Sequence, residues 1–205
     1  DTLDDPYTME YSVDHIIPND IIRVEFRLGF RVDPRINLMF RKVVEDLVPK
    51  LLPLASVQRV LQNLLRERVS IRDAVSILEA LGEAATSTRN PILLTEWVRQ
   101  AIRRTVVKPY LNRAGDLQAY FLSAPVEQMV ESSVEHGEQN SHLNLAPQNV
   151  REILNHLSNR ISSPETPAVV IVSSGTRYFL RQIVEPTLPN LFFLSHNEIP
   201  AGMRV

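Results

Sequence analysis

The sequence predicts an α+β chain: a helical bundle followed by a small α/β unit, with a short strand-bearing segment ahead of both. Three observations predict it. Apolar residues recur at helical spacing from Val57 to Ile102. Strict two-residue alternation is confined to Ile21–Phe30. After Gly115, short apolar runs alternate with helical ones. The expected divisions are 1–46, 47–113 and 114–205.

In Ile21–Phe30, Ile22, Val24, Phe26 and Leu28 share one face while Arg23, Glu25 and Arg27 share the other, the pattern of a half-buried strand. Asp33-Pro34 ends that run. Residues 35–48 read as a helix on the spacing of Ile36, Met39, Phe40, Val43, Val44 and Leu47. Pro49 and Pro53 break it, and Leu51, Leu52 and Leu54 are expected to plug a core. From Ser56 a second helix places Val57, Val60, Leu61, Leu64 and Leu65 in one stripe, with Arg59, Asn63, Arg66 and Glu67 off it. Ser70 is expected to cap a third helix, Ser70-Ile71-Arg72-Asp73 approximating a capping box. That helix buries Ile71, Ala74, Val75, Leu78 and Leu81, with Gly82 near its end. Asn90-Pro91 starts the next helix, whose core face reads Leu93, Leu94, Trp97, Val98, Ala101 and Ile102, and Lys108-Pro109 stops it.

Beyond Arg113-Ala114-Gly115-Asp116, strands are expected at Leu117–Leu122, His142–Leu145, Ala168–Val172 and Leu191–Leu194. Helices are expected at Pro125–Val134, Pro147–Ile161 and Thr176–Val184. Such alternation favours a small, mostly parallel sheet.

The composition, 44% hydrophobic and 22% charged over 205 residues, is that of a chain able to bury a core. Cysteine is absent, which excludes disulfides, thiolate metal sites and a cysteine nucleophile. No apolar run reaches the ~18–20 residues needed to cross a bilayer. The chain opens on Asp1, Asp4 and Asp5, unlike a signal peptide, and without Met, so it is expected to be part of a longer protein. The net charge of −2 hides a pattern. Residues 1–48 carry 6 basic and 10 acidic side chains, residues 49–113 carry 11 and 5, and residues 114–205 carry 5 and 9. A basic middle between acidic ends suits either a nucleic-acid site or complementary surfaces in an assembly.

Catalytic signatures are weak. There is no G-x-S-x-G elbow. Ser173-Ser174-Gly175-Thr176 follows a strand and opens a helix, where anions bind, but it lacks the lysine and second glycine of a phosphate loop and reads as a capped βα turn. His136, Glu138 and His142 are spaced across a loop and read as solvated rather than metal-ligating. Arg66, Arg68, Arg72, Arg99, Arg103 and Arg104 are a candidate phosphate grip for a regulatory nucleic-acid-binding protein. Against that, Ile71–Leu81 presents few polar residues to read bases, and Asp73 and Glu67 would repel a phosphate backbone. The alternative role for these arginines is ion pairing with acidic neighbours across a subunit boundary.

Leu47–Leu81, with PKLLPLASVQRVLQNLLRERVSIRD and ILEAL, resembles the cytoplasmic domain of the type III secretion inner-membrane export gate family (flagellar FlhA, virulence InvA/SctV). The likeness continues through Leu94, Glu96 and Val98-Arg99-Gln100, through HGEQNSHLNL, and into the terminal FFLSHNEIP. It covers Glu45 to Val205.

The resemblance implies that residues 47–113 form the family's helical third subdomain, that 114–205 form its α/β fourth subdomain, and that 1–46 retain a strand of the first. It also implies a soluble part of a membrane-anchored protein at the cytoplasmic face of the bacterial inner membrane, with no enzymatic activity and no cofactor. Its partners would be copies of itself in a ring, a nonamer; secretion chaperones with their export substrates; the ATPase stalk protein; and a gatekeeper protein. Nucleic acid is not among them. The family's ring contacts lie mostly in the third subdomain, which points to Arg66, Glu67, Arg68, Arg72 and Asp73. Two departures stand out: the transmembrane half is absent, and the second subdomain, which helps form the family's chaperone cleft, is missing or cut down.

Overall fold

The computed structural model describes residues 42–160 and 167–205. The strand expected at Ile21–Phe30 and most of the helix expected at 35–48 lie outside these residues, as does Ile161; residues 42–47 are helical. Leu52 is fully buried between the two prolines, whereas Leu51 stays 37% exposed.

Helix α1 (Leu54–Arg66) buries Val57, Val60, Leu61 and Leu64 of the stripe its spacing predicts, while Leu65 is only half-buried. Asn63 is buried beside that stripe instead of off it, because its amide donates to Thr95 Oγ1 at 3.0 Å. The helix closes with a left-handed residue. Arg68 has φ 60°, its N–H donates to Leu65 O, and the Val69 N–H reaches back to Leu64 O, both at 2.9 Å. This paired closure satisfies two end carbonyls and normally has glycine where Arg68 stands.

Helix α2 (Ala74–Ala84) begins later than expected. Asp73, not Ser70, caps it by accepting from the Ser76 N–H at 3.2 Å. The Ser70 hydroxyl instead accepts from the Arg72 N–H at 3.4 Å, closing a local turn outside the helix. Ile71, Ala74 and Val75 are therefore only partly buried against the core. Ile77, Leu78, Ala80, Leu81 and Ala84 fill it, and Gly82 lies within the helix.

Helix α3 (Pro91–Ala101) starts at Asn90, whose side chain accepts from the Ile92 N–H at 3.0 Å. Its buried face is Ile92, Leu94, Thr95, Val98 and Arg99, continued by Ile102. Trp97, expected in the core, is 43% exposed, and Ala101 is exposed as well. Polar Thr95 and Arg99 take core positions because partners on other elements satisfy them, which turns the helix so that Trp97 faces outward. The path continues past Ala101 through α4 (Arg103–Val107) and a 3-10 turn at Lys108–Tyr110, where Pro109 ends it.

The second half holds β1 (Tyr120–Phe121), α5 (Ala124–Glu131), β2 (Val134–His136), β3 (Ser141–Leu143), α6 (Pro147–Arg160), β4 (Ala168–Val172), α7 (Ser174–Val184) and β5 (Leu191–Ser195). A 3-10 turn at His196–Glu198 follows β5. Strands β1, β4 and β5 form a parallel sheet in the order β1-β4-β5. The first strand is shorter than expected because Leu117 is drawn away, bridging Leu111 and donating its N–H to Arg204 O. Val134, expected to end a helix, opens β2, which pairs with β3 in a separate antiparallel hairpin. The sheet expectation holds for the parallel strands and misses this hairpin.

Strands β4 and β5 are buried on both faces, while β1 forms an exposed edge with Tyr120 and Phe121 open to solvent. Val169, Ile171 and Leu194 join the core of the helical bundle, while Val170, Val172, Leu191 and Phe193 join a second core with Val130, Ile153, Leu157, Leu180 and Val184. The sheet is a shared wall, and this is why the AVVIV run carries no polar alternation.

Candidate functional site

Five charged side chains meet where the two halves join. Glu67 follows α1, Glu96 and Arg99 project from α3, Arg177 lies in the first turns of α7, and Glu198 lies in the turn after β5. Arg177 and Glu198 have no solvent exposure, and Arg99 has 2%. Arg177 donates from Nη2 to Glu67 Oε1 at 2.9 Å and from Nη1 to Glu67 Oε2. Its Nε donates to Glu96 Oε2 at 2.8 Å. Arg99 completes the set, with Nε to Glu198 Oε1 at 2.5 Å and Nη1 to Glu67 Oε2 at 3.0 Å. Glu198 Oε2 also accepts the Ser195 N–H at 2.9 Å, closing a capping box.

The cluster holds three carboxylates and two guanidiniums, and the imbalance falls unevenly. Burial pushes the Glu67 carboxyl up, but the Arg177 and Arg99 guanidiniums outweigh it and hold Glu67 at about 2. Burial also raises Glu96, and the Glu198 charge adds to that effect, so Arg177 does not bring it back to the ordinary range. Burial lowers Arg177 and Arg99, yet the surrounding carboxylates more than compensate and both are raised.

Every carboxylate of the cluster is engaged by a guanidinium. Two grooves among the described residues, about 460 Å³ along α6 and about 450 Å³ between residues 42–51 and α2, are lined by other residues. The arrangement is a lock between α1 and α3 on one side and α7 and the chain end on the other. The sequence signal for it was a set of charges lying within apolar stripes, Arg99 between Val98 and Ile102 being the plainest.

Of the five residues expected at subunit contacts, Arg66, Arg68, Arg72 and Asp73 lie on the surface. Glu67 does not; its carboxylate is turned inward and occupied by Arg99 and Arg177. Arg66 Nε stands 3.5 Å from Glu185, and the Arg68 guanidinium lies 5.7 Å from the centre of the Phe192 ring. Arg99, counted among the candidate phosphate grips, is buried and cannot reach a phosphate.

The Ser173–Thr176 turn is a βα junction, but the expected side-chain cap is not made. Ser173 Oγ and Thr176 Oγ1 are 3.0 Å apart, and the Ser173 N–H is taken by the Glu127 carboxylate. His136 pairs in register with Ser141 and Glu135 with His142, so the two histidines project from opposite faces of the hairpin. Among the described residues, no group of three His, Cys, Asp or Glu side chains is placed to hold a metal ion, and no helix is long and apolar enough to cross a membrane.

Residues 34–204 match the model of the FHIPEP family. The chain is 30% identical over 166 residues to flagellar biosynthesis protein FlhA of Bacillus subtilis (strain 168), an alignment covering 80% of this chain and 24% of that protein. Among solved structures, the nonameric EPEC SctV-C superposes with a TM-score of 0.72 at 27% identity, covering 80% of this chain and 50% of that one. The Chlamydia pneumoniae CdsV protein superposes with a TM-score of 0.74 at 26% identity, covering 91% and 51%. The chain thus spans about a quarter of the curated relative and about half of the solved ones. Glu67, Glu96, Arg99, Arg177 and Glu198 all fall inside the matched span, and by that match the chain belongs to the FHIPEP family.

Proposed function

We propose that this chain is part of the cytoplasmic portion of a type III secretion export gate, assembling with copies of itself into a nine-membered ring at the cytoplasmic face of the bacterial inner membrane. The observation that carries the proposal is its likeness, over 80% of its length, to a secretion-gate domain solved as a nonamer. The ring docks chaperone–substrate complexes, a gatekeeper protein and the stalk protein of the export ATPase, and it performs no catalysis of its own. The divisions follow the sequence reading: 1–46, 47–113 as the helical subdomain and 114–205 as the α/β subdomain. Charge supports the assembly. The basic middle segment, with exposed Arg66, Arg68 and Arg72 beside Asp73, finds its complement in the acidic segments of a neighbouring copy.

The test is mass against concentration by sedimentation. The expected result is reversible growth to a large closed ring, and a shift to smaller species when Arg68→Glu or Arg72→Glu is introduced. Normal assembly of both reversal variants would remove these residues from the contact. A strict monomer whose DNA affinity falls with salt would overturn the reading in favour of nucleic-acid binding.

A further inference from the structure

Glu67 sits in the chain between two exposed arginines, and everything that holds its side chain comes from elsewhere in the fold. Its two oxygens are taken by Arg177, 110 residues later, and by Arg99, which Glu198 orients in turn from the chain end. The flanking arginines rest on the same half of the molecule, Arg66 against Glu185 and Arg68 above Phe192. The backbone at Arg68 is left-handed, a conformation that an L side chain holds only when its surroundings impose it. Here the neighbouring residue is clamped, and the closing hydrogen bonds of α1 fix the turn on either side.

We propose that Arg177, and Glu198 through Arg99, are positioning residues for the Arg66–Arg68 surface: by clamping Glu67 they set the direction in which these arginines are presented to acidic groups of a second copy of the chain. The surface is therefore formed only while the helical and α/β halves are docked, so that a change at the α/β half reaches the subunit boundary without touching it. This rests on the reading that Arg68 contacts a neighbouring copy.

A double-mutant cycle on the assembly constant tests it, with circular dichroism and the thermal midpoint reporting the fold. Arg177→Lys keeps the charge but loses the fork that spans two carboxylates. The expected outcome is assembly weakened about tenfold or more by Arg177→Lys and by Arg68→Ala separately, with the double variant within about twofold of Arg68→Ala alone, the sign of coupled sites. Multiplying fold-losses in the double variant would show that Arg177 acts independently of Arg68 and would overturn the proposal while leaving the contact reading intact. Normal assembly of Arg68→Ala would instead overturn the contact reading, and the proposal with it. Should Arg177→Lys fail to fold, Glu67→Gln replaces it in the same cycle with the same two outcomes.

Discussion

Arg177 reaches Glu67 at 2.9 Å across 110 residues of sequence, with no solvent exposure of its own. A buried ion pair of this kind contributes less net stability than its geometry suggests, because both charges must leave water. What it contributes firmly is a penalty on the undocked state: parting α1 and α3 from α7 and the 196–198 turn would strip Arg177 of Glu67 and Glu96, strip Arg99 of Glu198, and leave Glu96 without its guanidinium. The lock fixes how the helical and α/β halves meet.

Removing one partner should therefore be costly, and the cost should depend on pH. Glu67 is held at about 2 in the folded chain against an ordinary 4.5. A lowered folded-state value means stability that is present above about 4.5 and lost as pH falls toward 2, roughly 3 kcal/mol in all. Urea unfolding of Glu67→Gln at pH 7 should show a loss of that order, with a flatter profile than the parent between pH 4.5 and 3. Equal stability of variant and parent at pH 7 would mean the clamp does not stabilise the fold.

Glu96 should behave with the opposite sign. Its folded-state value is raised, chiefly by burial, so folding disfavours its charged form relative to the unfolded chain. Stability from this group is gained as pH falls from its raised value toward 4.5, and lost as pH rises through that window. Glu96→Gln leaves two carboxylates against two guanidiniums. The variant should be at least as stable as the parent at pH 7 and should lack the parent's gain on mild acidification. A thermal-midpoint series from pH 7.5 to 4.5 reads both.

At Arg68 the backbone and the side chain pull in opposite directions. The left-handed conformation costs about 1 kcal/mol for an L residue, while the guanidinium above Phe192 returns about 0.5–1 kcal/mol. Arg68→Gly removes both and should leave stability within about 0.5 kcal/mol of the parent. Arg68→Ala keeps the strain and loses the ring contact, so it should be less stable by about 0.5–1 kcal/mol. Denaturant midpoints that place alanine above glycine would contradict the left-handed closure of α1.

Asn90 joins α3 to the β2–β3 hairpin. Its oxygen caps the helix, and its amide donates to Gly137 O at 3.0 Å and Ser141 Oγ at 2.8 Å, with Asn90 itself fully buried. Asn90→Ala should cost about 2 kcal/mol or more, a cap plus two amide hydrogen bonds of which the one to Ser141 is buried. Hydrogen exchange should rise most at residues 134–143, where the tether is lost. Unchanged exchange in the hairpin would show that its own pairing suffices.

The two kinds of element differed in how plainly they were written in the sequence. The α1 stripe, the Asn90-Pro91 start of α3 and the strands at Ala168–Val172 and Leu191–Ser195 were legible because each depends on neighbours a few residues away. The Ser70 cap, the buried face of α3 and the hairpin were misread. At the cap another local group won, Asp73 three residues on; in the other two a local signal competed with a distant partner, Glu67 and Glu198 drawing Arg99 inward and Asn90 holding Ser141. Most arginines singled out from the sequence, Arg66, Arg68, Arg72, Arg103 and Arg104, are exposed, whereas Arg99 and Arg177 and the carboxylates they meet are sunk in the interior.

By itself the sequence determined the fold class, the order of helices and parallel strands, and the family likeness, since period, caps and motif are properties of contiguous residues. Only the tertiary structure decided that Glu67 faces inward, that Trp97 faces outward and that Arg177, Arg99 and Glu198 converge on one point. A charge can be buried only where an opposite charge arrives to meet it, and that meeting depends on packing between segments 32 to 110 residues apart.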